Sequence, residues 1–174
     1  IKMNAAPNNT NSKNISWMTN PALAGAQVFQ YAEGSSTEWT SVDADTTLQT
    51  FVRDGNSAVY VHSVDLSGLK SNTTYSYRVG DGTNWSEVRT FTTGRAGYGV
   101  NFFVMGDIQA EDLTGVNAIM DHVVAADYAF GIQTGDAVDD ASTYSDWMGI
   151  VDLYNVDTLQ DTDVIQVLGN HEFS

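Results

Sequence analysis

Three short stretches each set a glycine directly before residues that can bind a metal ion: Gly106-Asp107-Ile108-Gln109, Gly135-Asp136-Ala137-Val138-Asp139-Asp140 and Gly169-Asn170-His171-Glu172. Carboxylates and amides offer oxygen to hard or borderline divalent cations, imidazole offers nitrogen, and a carboxylate can bridge two ions. A glycine before each donor permits the tight backbone turn that aims it. Asp107 and Gln109 are two residues apart, so on extended backbone both point to one side. Taken alone, the stretch from Asn101 to Ala110 also reads as a strand followed by an ordinary polar turn. The recurrence of one design at three places marks a set.

Something must carry these donors to one place. Each follows an apolar run: Phe102 to Met105, Tyr128 to Gln133, and Asp163 to Leu168. Such runs, bounded by glycine, predict strands of a sheet covered on both faces. Between them, Asp112 to Ala126 puts Leu113, Val116, Ile119, Met120, Val123 and Val124 at helical spacing, with Asp112 or Thr114 as candidate caps. Ser142 to about Tyr154 predicts a second helix with Trp147, Met148, Val151 and Leu153 as its apolar members. Strand, helix, strand, helix, strand implies a parallel sheet with right-handed crossovers, whose carboxyl ends share one rim where α/β sheets place ligands.

The chain before this point has another period. Asn14–Met18, Gln27–Tyr31, Ala58–Leu66, Thr74–Val79 and Glu87–Phe91 mostly alternate apolar with polar, as half-buried strands do, and turn residues such as Asn20-Pro21, Asp54-Gly55-Asn56 and Gly80-Asp81-Gly82 separate them. A β-sandwich of about 90 residues is expected. Trp17 sits where a core tryptophan would. Leu69 to Tyr75 reads as a tyrosine corner, the hydroxyl bonding back to upstream backbone. His62 falls on a strand as a packed or rim residue, and His122 falls in a helix as a surface or boundary residue. Glycine-rich Thr93 to Gly99 is the expected linker, giving domains of 1–94 and 99–174.

Composition narrows the function. The net charge is −15, which argues against a nucleic-acid partner. All 7 Lys and Arg lie at or before Arg95, while acidic residues continue to the end. Most of those carboxylates are explained by an acidic solvated surface, and a subset by gathering around bound cations. No apolar run is long enough to span a bilayer, so no membrane partner is expected. Cysteine is absent, which excludes thiolate metal sites and cysteine nucleophiles. Asp157 to Asp163 lacks the central glycine and terminal glutamate of a calcium loop.

The first half, through His62-Ser63-Val64-Asp65-Leu66-Ser67-Gly68-Leu69, Tyr75-Ser76-Tyr77-Arg78-Val79-Gly80, Trp85-Ser86 and Phe91-Thr92-Thr93, resembles the amino-terminal domain of purple acid phosphatases, a fibronectin type III-like sandwich. Ser71 stands where the usual corner carries proline. The three strand ends resemble the calcineurin-like metallophosphoesterases, to which the catalytic domain of those phosphatases belongs. The resemblance implies that Asp107 binds a first metal, Asp136 bridges two, and Asn170 binds the second. It places His171 near the substrate phosphate as proton donor or oxyanion stabiliser. The implied reaction is hydrolysis of a phosphate ester across two ions that activate water and neutralise developing charge.

Two residues depart from the pattern. Gln109 stands where the family often has histidine, and its amide oxygen can still ligate. Asp139 stands where purple acid phosphatases carry a metal-binding tyrosine, so the resemblance allows iron, zinc or manganese without the purple charge-transfer colour. The family's further histidine segments have no counterpart, because the remaining histidines are His62 and His122. The expectation is an amino-terminal portion of a longer, secreted enzyme: a whole accessory domain and a truncated catalytic one, inactive or nearly so alone. The alternative is a binding module built on the sandwich beside a non-catalytic phosphatase-like half.

Overall fold

The computed structural model describes residues 1–4, 6, 8–23, 25–97, 100–109, 113–126, 128–155, 159, 161–173. In chain order its strands are β1 (Lys2–Asn4), β2 (Lys13–Thr19), β3 (Val28–Glu33), β4 (Thr40–Asp43), β5 (Asp45–Phe51), β6 (Ser57–Leu66), β7 (Thr74–Gly80), β8 (Arg89–Thr92) and β9 (Phe102–Met105). Helix α1 (Thr114–Ala125), strand β10 (Phe130–Gln133), helix α2 (Tyr144–Tyr154) and strand β11 (Asp163–Gln166) follow. The chain divides into two compact units, neither continuous in sequence. One comprises Ala5–Leu48 and Val59–Tyr98, the other Ile1–Asn4, Gln49–Ala58 and Gly99–Ser174.

The unit containing 59–98 is a β-sandwich. One sheet has the order β4-β3-β7-β8, and β5, β6 and β2 neighbour one another in the other. Alternation buries one face of the central strands: Tyr75, Tyr77 and Val79 on β7, Ile15 and Trp17 on β2, Phe29 on β3. Aromatic rings bind this core, with Phe29 stacked on Tyr77 at 5.5 Å and Tyr75 on Phe91 at 5.4 Å between centroids. The tyrosine corner forms as expected: Tyr75 is buried and its hydroxyl accepts the Lys70 amide at 2.9 Å. Trp17 is 4% exposed and faces His62 across the β2–β6 pair. His62 is a core residue, its Nε2 and Nδ1 bonded to Thr19 and Thr46 hydroxyls at 2.8 and 2.9 Å, and burial lowers its pKa.

In the other unit four parallel strands run β1-β11-β10-β9. The pairs stay in register, so Met105, Gln133 and Gln166 stand level at the carboxyl end. Phe103 and Val164 pack one face against Met120 and Val123 of α1 and Ile150, Leu153 and Tyr154 of α2. Gly131 is required there, because a Cβ would enter the Phe103 ring. The expectation of cover on both faces fails. Phe102 and Val104 are 47% and 56% exposed, Ile165 38% and Val167 46%. Periodicity could not reveal this, because alternate residues of a continuously apolar strand look alike whether or not a second layer covers them.

The helices differ from expectation at their starts. α1 begins at Thr114 with Leu113 at the N-cap and no side-chain cap bond, and the other candidate, Asp112, lies outside the described residues. His122 is exposed, as expected. Tyr98 and Gly99 of the expected linker, and Asp157 and Thr158 of the weak calcium-loop reading, also lie outside them.

Candidate active site at the strand ends

The three glycines explain how the strand ends approach. A Cβ on Gly106 would strike Thr134 Oγ1, one on Gly169 would strike the Asp136 carboxylate, and one on Gly135 would lie 2.7 Å from the Gly169 nitrogen. Backbone bonds close the contact: Asp107 N donates to Gly135 O at 3.1 Å, and Gln109 N donates to Asp136 O at 3.2 Å. The buried Gln133 accepts the Gly135 amide on Oε1 at 2.8 Å.

The backbone itself corrects one expectation. Asp107, Gln109 and Asp136 have φ of 50°, 40° and 52°, in the left-handed region. Asp107 and Gln109 therefore do not share a side by extended alternation, since the backbone of each is left-handed. A non-glycine residue in this region is strained and persists only where its surroundings determine it, commonly at functional sites. Three such residues occur on two neighbouring strand ends.

Side chains converge on His171. Its Nδ1 faces the Asp139 carbonyl at 2.6 Å, its Nε2 lies 3.2 Å from Gln109 Nε2, and its backbone amide donates to Asp136 Oδ1 at 2.8 Å. These contacts suit one tautomer: Nδ1–H donates to the carbonyl, and Nε2 accepts from the Gln109 amide. Gln109 Oε1 is then the oxygen this side chain can offer elsewhere. The Asp139 carbonyl raises the His171 pKa; burial opposes it, and the carboxylates of Asp136, Asp139 and Glu172 add to the rise. The structure thus brings Gln109, Asp136 and His171 together. Asp107 joins the rim through its backbone bond to Gly135, and Asn170 follows Gly169 there; neither side chain makes a hydrogen bond or ion pair among the described residues.

Glu172 is the participant to which the sequence assigned no role. Its Oε2 accepts the amides of Asp136 at 2.9 Å and Gly169 at 2.6 Å, and Oε1 those of Ala137 at 2.7 Å and Val138 at 3.3 Å. One carboxylate so ties the second strand end to the third. Burial works against its charge, but the four amides together hold its pKa below the usual carboxylate range. A glutamate three residues after Gly169, at the start of the 3₁₀ turn His171–Phe173, was the available signal. It repeats the way a glutamate reaches back to a helix start.

Residues 2–93 match the family model of the purple acid phosphatase N-terminal domain, and the chain belongs to that family. Its fold is shared with a purple acid phosphatase, PPD1, from seeds of yellow lupin (Lupinus luteus), at a TM-score of 0.77 and 16% identity. That alignment covers 98% of this chain and 35% of the lupin one. PhoD aligns at a TM-score of 0.55 and 13% identity, over 98% of this chain and 38% of its own. This chain therefore spans little more than a third of either protein. No curated protein sequence matches it.

Proposed function

We propose that this chain is the front part of a metal-dependent phosphoesterase that hydrolyses phosphate esters with two ions, and that alone it is inactive or nearly so. The observation that carries the reading is the convergence of strained, left-handed donor residues at the ends of adjacent parallel strands, β9 and β10, with His171 against both. Membership of a phosphatase accessory-domain family supports it.

The donor set fits such ions in part. Two carboxylates and two amides offer oxygen donors of the hard-to-borderline kind that manganese, iron or zinc accept. Among the described residues, no three His, Cys, Asp or Glu side chains form a metal-binding group, so the amides of Gln109 and Asn170 take part of the load. Asp107, Gln109, Asp136 and Asn170 would hold the ions. When bound, they would supply an activated water and charge neutralisation at phosphorus. The Asp139 carbonyl fixes the His171 ring through Nδ1, directing Nε2 into the site; as the imidazolium, with Nε2–H turned from the Gln109 amide to substrate, it would pass a proton to the leaving oxygen or hold a phosphate oxygen. The Glu172 carboxylate fixes the backbone from which Asp136 projects. Export suits an acidic protein of this family. Among the described residues, no helix is long and apolar enough to cross a membrane.

The test is a chromogenic phosphate ester with the full-length parent protein, assayed with manganese, zinc and iron. Turnover should require added metal and fall by about 10² or more for His171→Ala, with a comparable or larger loss for Asp136→Ala. Activity untouched by Asp136→Ala would end the reading.

A further inference from the structure

The start of helix α2 is capped from elsewhere in the chain. Thr143, at its N-cap, makes no side-chain cap bond. Asp54 Oδ2, ninety residues upstream, instead accepts the amides of Tyr144 at 2.5 Å and Ser145 at 3.2 Å. Next to it, Arg53 Nη1 pairs with Asp140 Oδ2 at 2.7 Å, and the Arg53 amide donates to Ser142 O at 3.3 Å. Phe51, 3% exposed, meets the Tyr144 ring edge-on at 5.3 Å. All three residues belong to segment 49–58, the end of β5, the turn after it and the start of β6, which clusters with the strand-end unit.

These contacts hold the loop that follows Asp136. Asp140 also accepts the Ser142 amide at 2.8 Å and hydroxyl at 2.5 Å, and its own amide donates to Asp146 Oδ2 at 3.2 Å. One residue earlier, the Asp139 carbonyl receives His171 Nδ1. A short covalent path therefore links the Arg53 ion pair to the ring that faces Gln109. Charge gives the arrangement direction. In this unit's sequence the lysine and arginine side chains are Lys2 and Arg53, and Lys2 is bound to the Leu159 and Thr162 carbonyls at 3.2 and 3.0 Å. Arg53 is thus the permanently charged cation at the acidic loop of Asp136, Asp139, Asp140 and Asp146, which His171 also faces. An ion pair whose arginine is 70% exposed adds little to stability, but it can still fix where a mostly buried carboxylate lies.

Resting on the phosphoesterase reading, we propose that Arg53 and Asp54 are positioning residues, which clamp loop 139–145 so that the Asp139 carbonyl holds His171 in the site. The clamp is measured by hydrogen exchange on this chain without turnover. Asp54→Ala should speed exchange of the Tyr144 and Ser145 amides about tenfold, and Arg53→Ala should do so for the amides of Ser142 and Thr143. Asp54→Asn and Arg53→Lys, which keep the acceptor and the charge, should restore most of the protection. β10 and α1 should exchange as before in every variant. Unchanged exchange at 142–145, or an equal rise throughout the unit, overturns the clamp. In an active full-length parent, Arg53→Ala should lower kcat about tenfold with little change in KM, and Arg53→Lys should recover it. Unaltered kcat overturns the positioning role. An inactive unsubstituted parent counts against the phosphoesterase reading and leaves exchange to decide the clamp.

Discussion

Glu172 shows how one side chain can organise a site without touching a ligand. Four amides from two strand ends converge on its carboxylate. Replacing it by alanine strands those amides and leaves Asp136 and Gly169 without their common acceptor. Bonds to a charged acceptor contribute more than neutral ones, and Glu172 is only half-buried, so Glu172→Ala should cost about 2 kcal/mol. Urea denaturation followed by the fluorescence of Trp147, packed against this unit's core, would read it, with Glu172→Gln in between. An unchanged midpoint would show that water replaces the carboxylate freely. Such a role has no sequence pattern, because the partners are backbone amides, which every residue has. The strand-end donors were legible because glycine and a carboxylate recur together. Their left-handed turns were not, since aspartate and glutamine carry no requirement for positive φ.

At the scale of elements, strands that bury one face were readable and strands that bury none were not. β2, β3, β6 and β7 announce themselves by alternation. β5 has six exposed residues before Phe51, and β4 is exposed on three of four positions, so neither has a hydrophobic period. β1 is three residues long and pairs with β11, a long-range choice that no local window contains. Helix α2 was legible, while its cap was not, because Asp54 is near it only after folding. The β2–β6 pair also carries a pH dependence. Burial lowers the His62 pKa, so the unfolded chain takes up a proton near pH 6.5 that the folded sandwich refuses until lower pH. The stability this group contributes is complete above that pH and is lost as pH falls below it. Urea midpoints at pH 7.5 and 5.5 should separate more in the native chain than in His62→Gln, whose amide can still meet Thr19 and Thr46. Equal separations would place the acid sensitivity in the carboxylates instead.

At the scale of the molecule, two opposing surface properties decide how copies of the chain behave toward each other. The bare face of the parallel sheet, where Phe102 stacks flat on Phe130 at 5.0 Å beside Val104 and Ile165, is adhesive. The net charge of −15 is repulsive. Charge repulsion reaches only as far as the ionic atmosphere lets it, roughly 10 Å at 0.1 M salt and 3 Å at 1 M, whereas apolar attraction strengthens in salts such as sulfate. The chain is in effect a charge-stabilised colloid. Light scattering should stay monodisperse in dilute buffer and climb with added sulfate. Val104→Lys, placed in the middle of the adhesive face, should move that threshold to higher salt, and a threshold that does not move would locate the attraction on another surface.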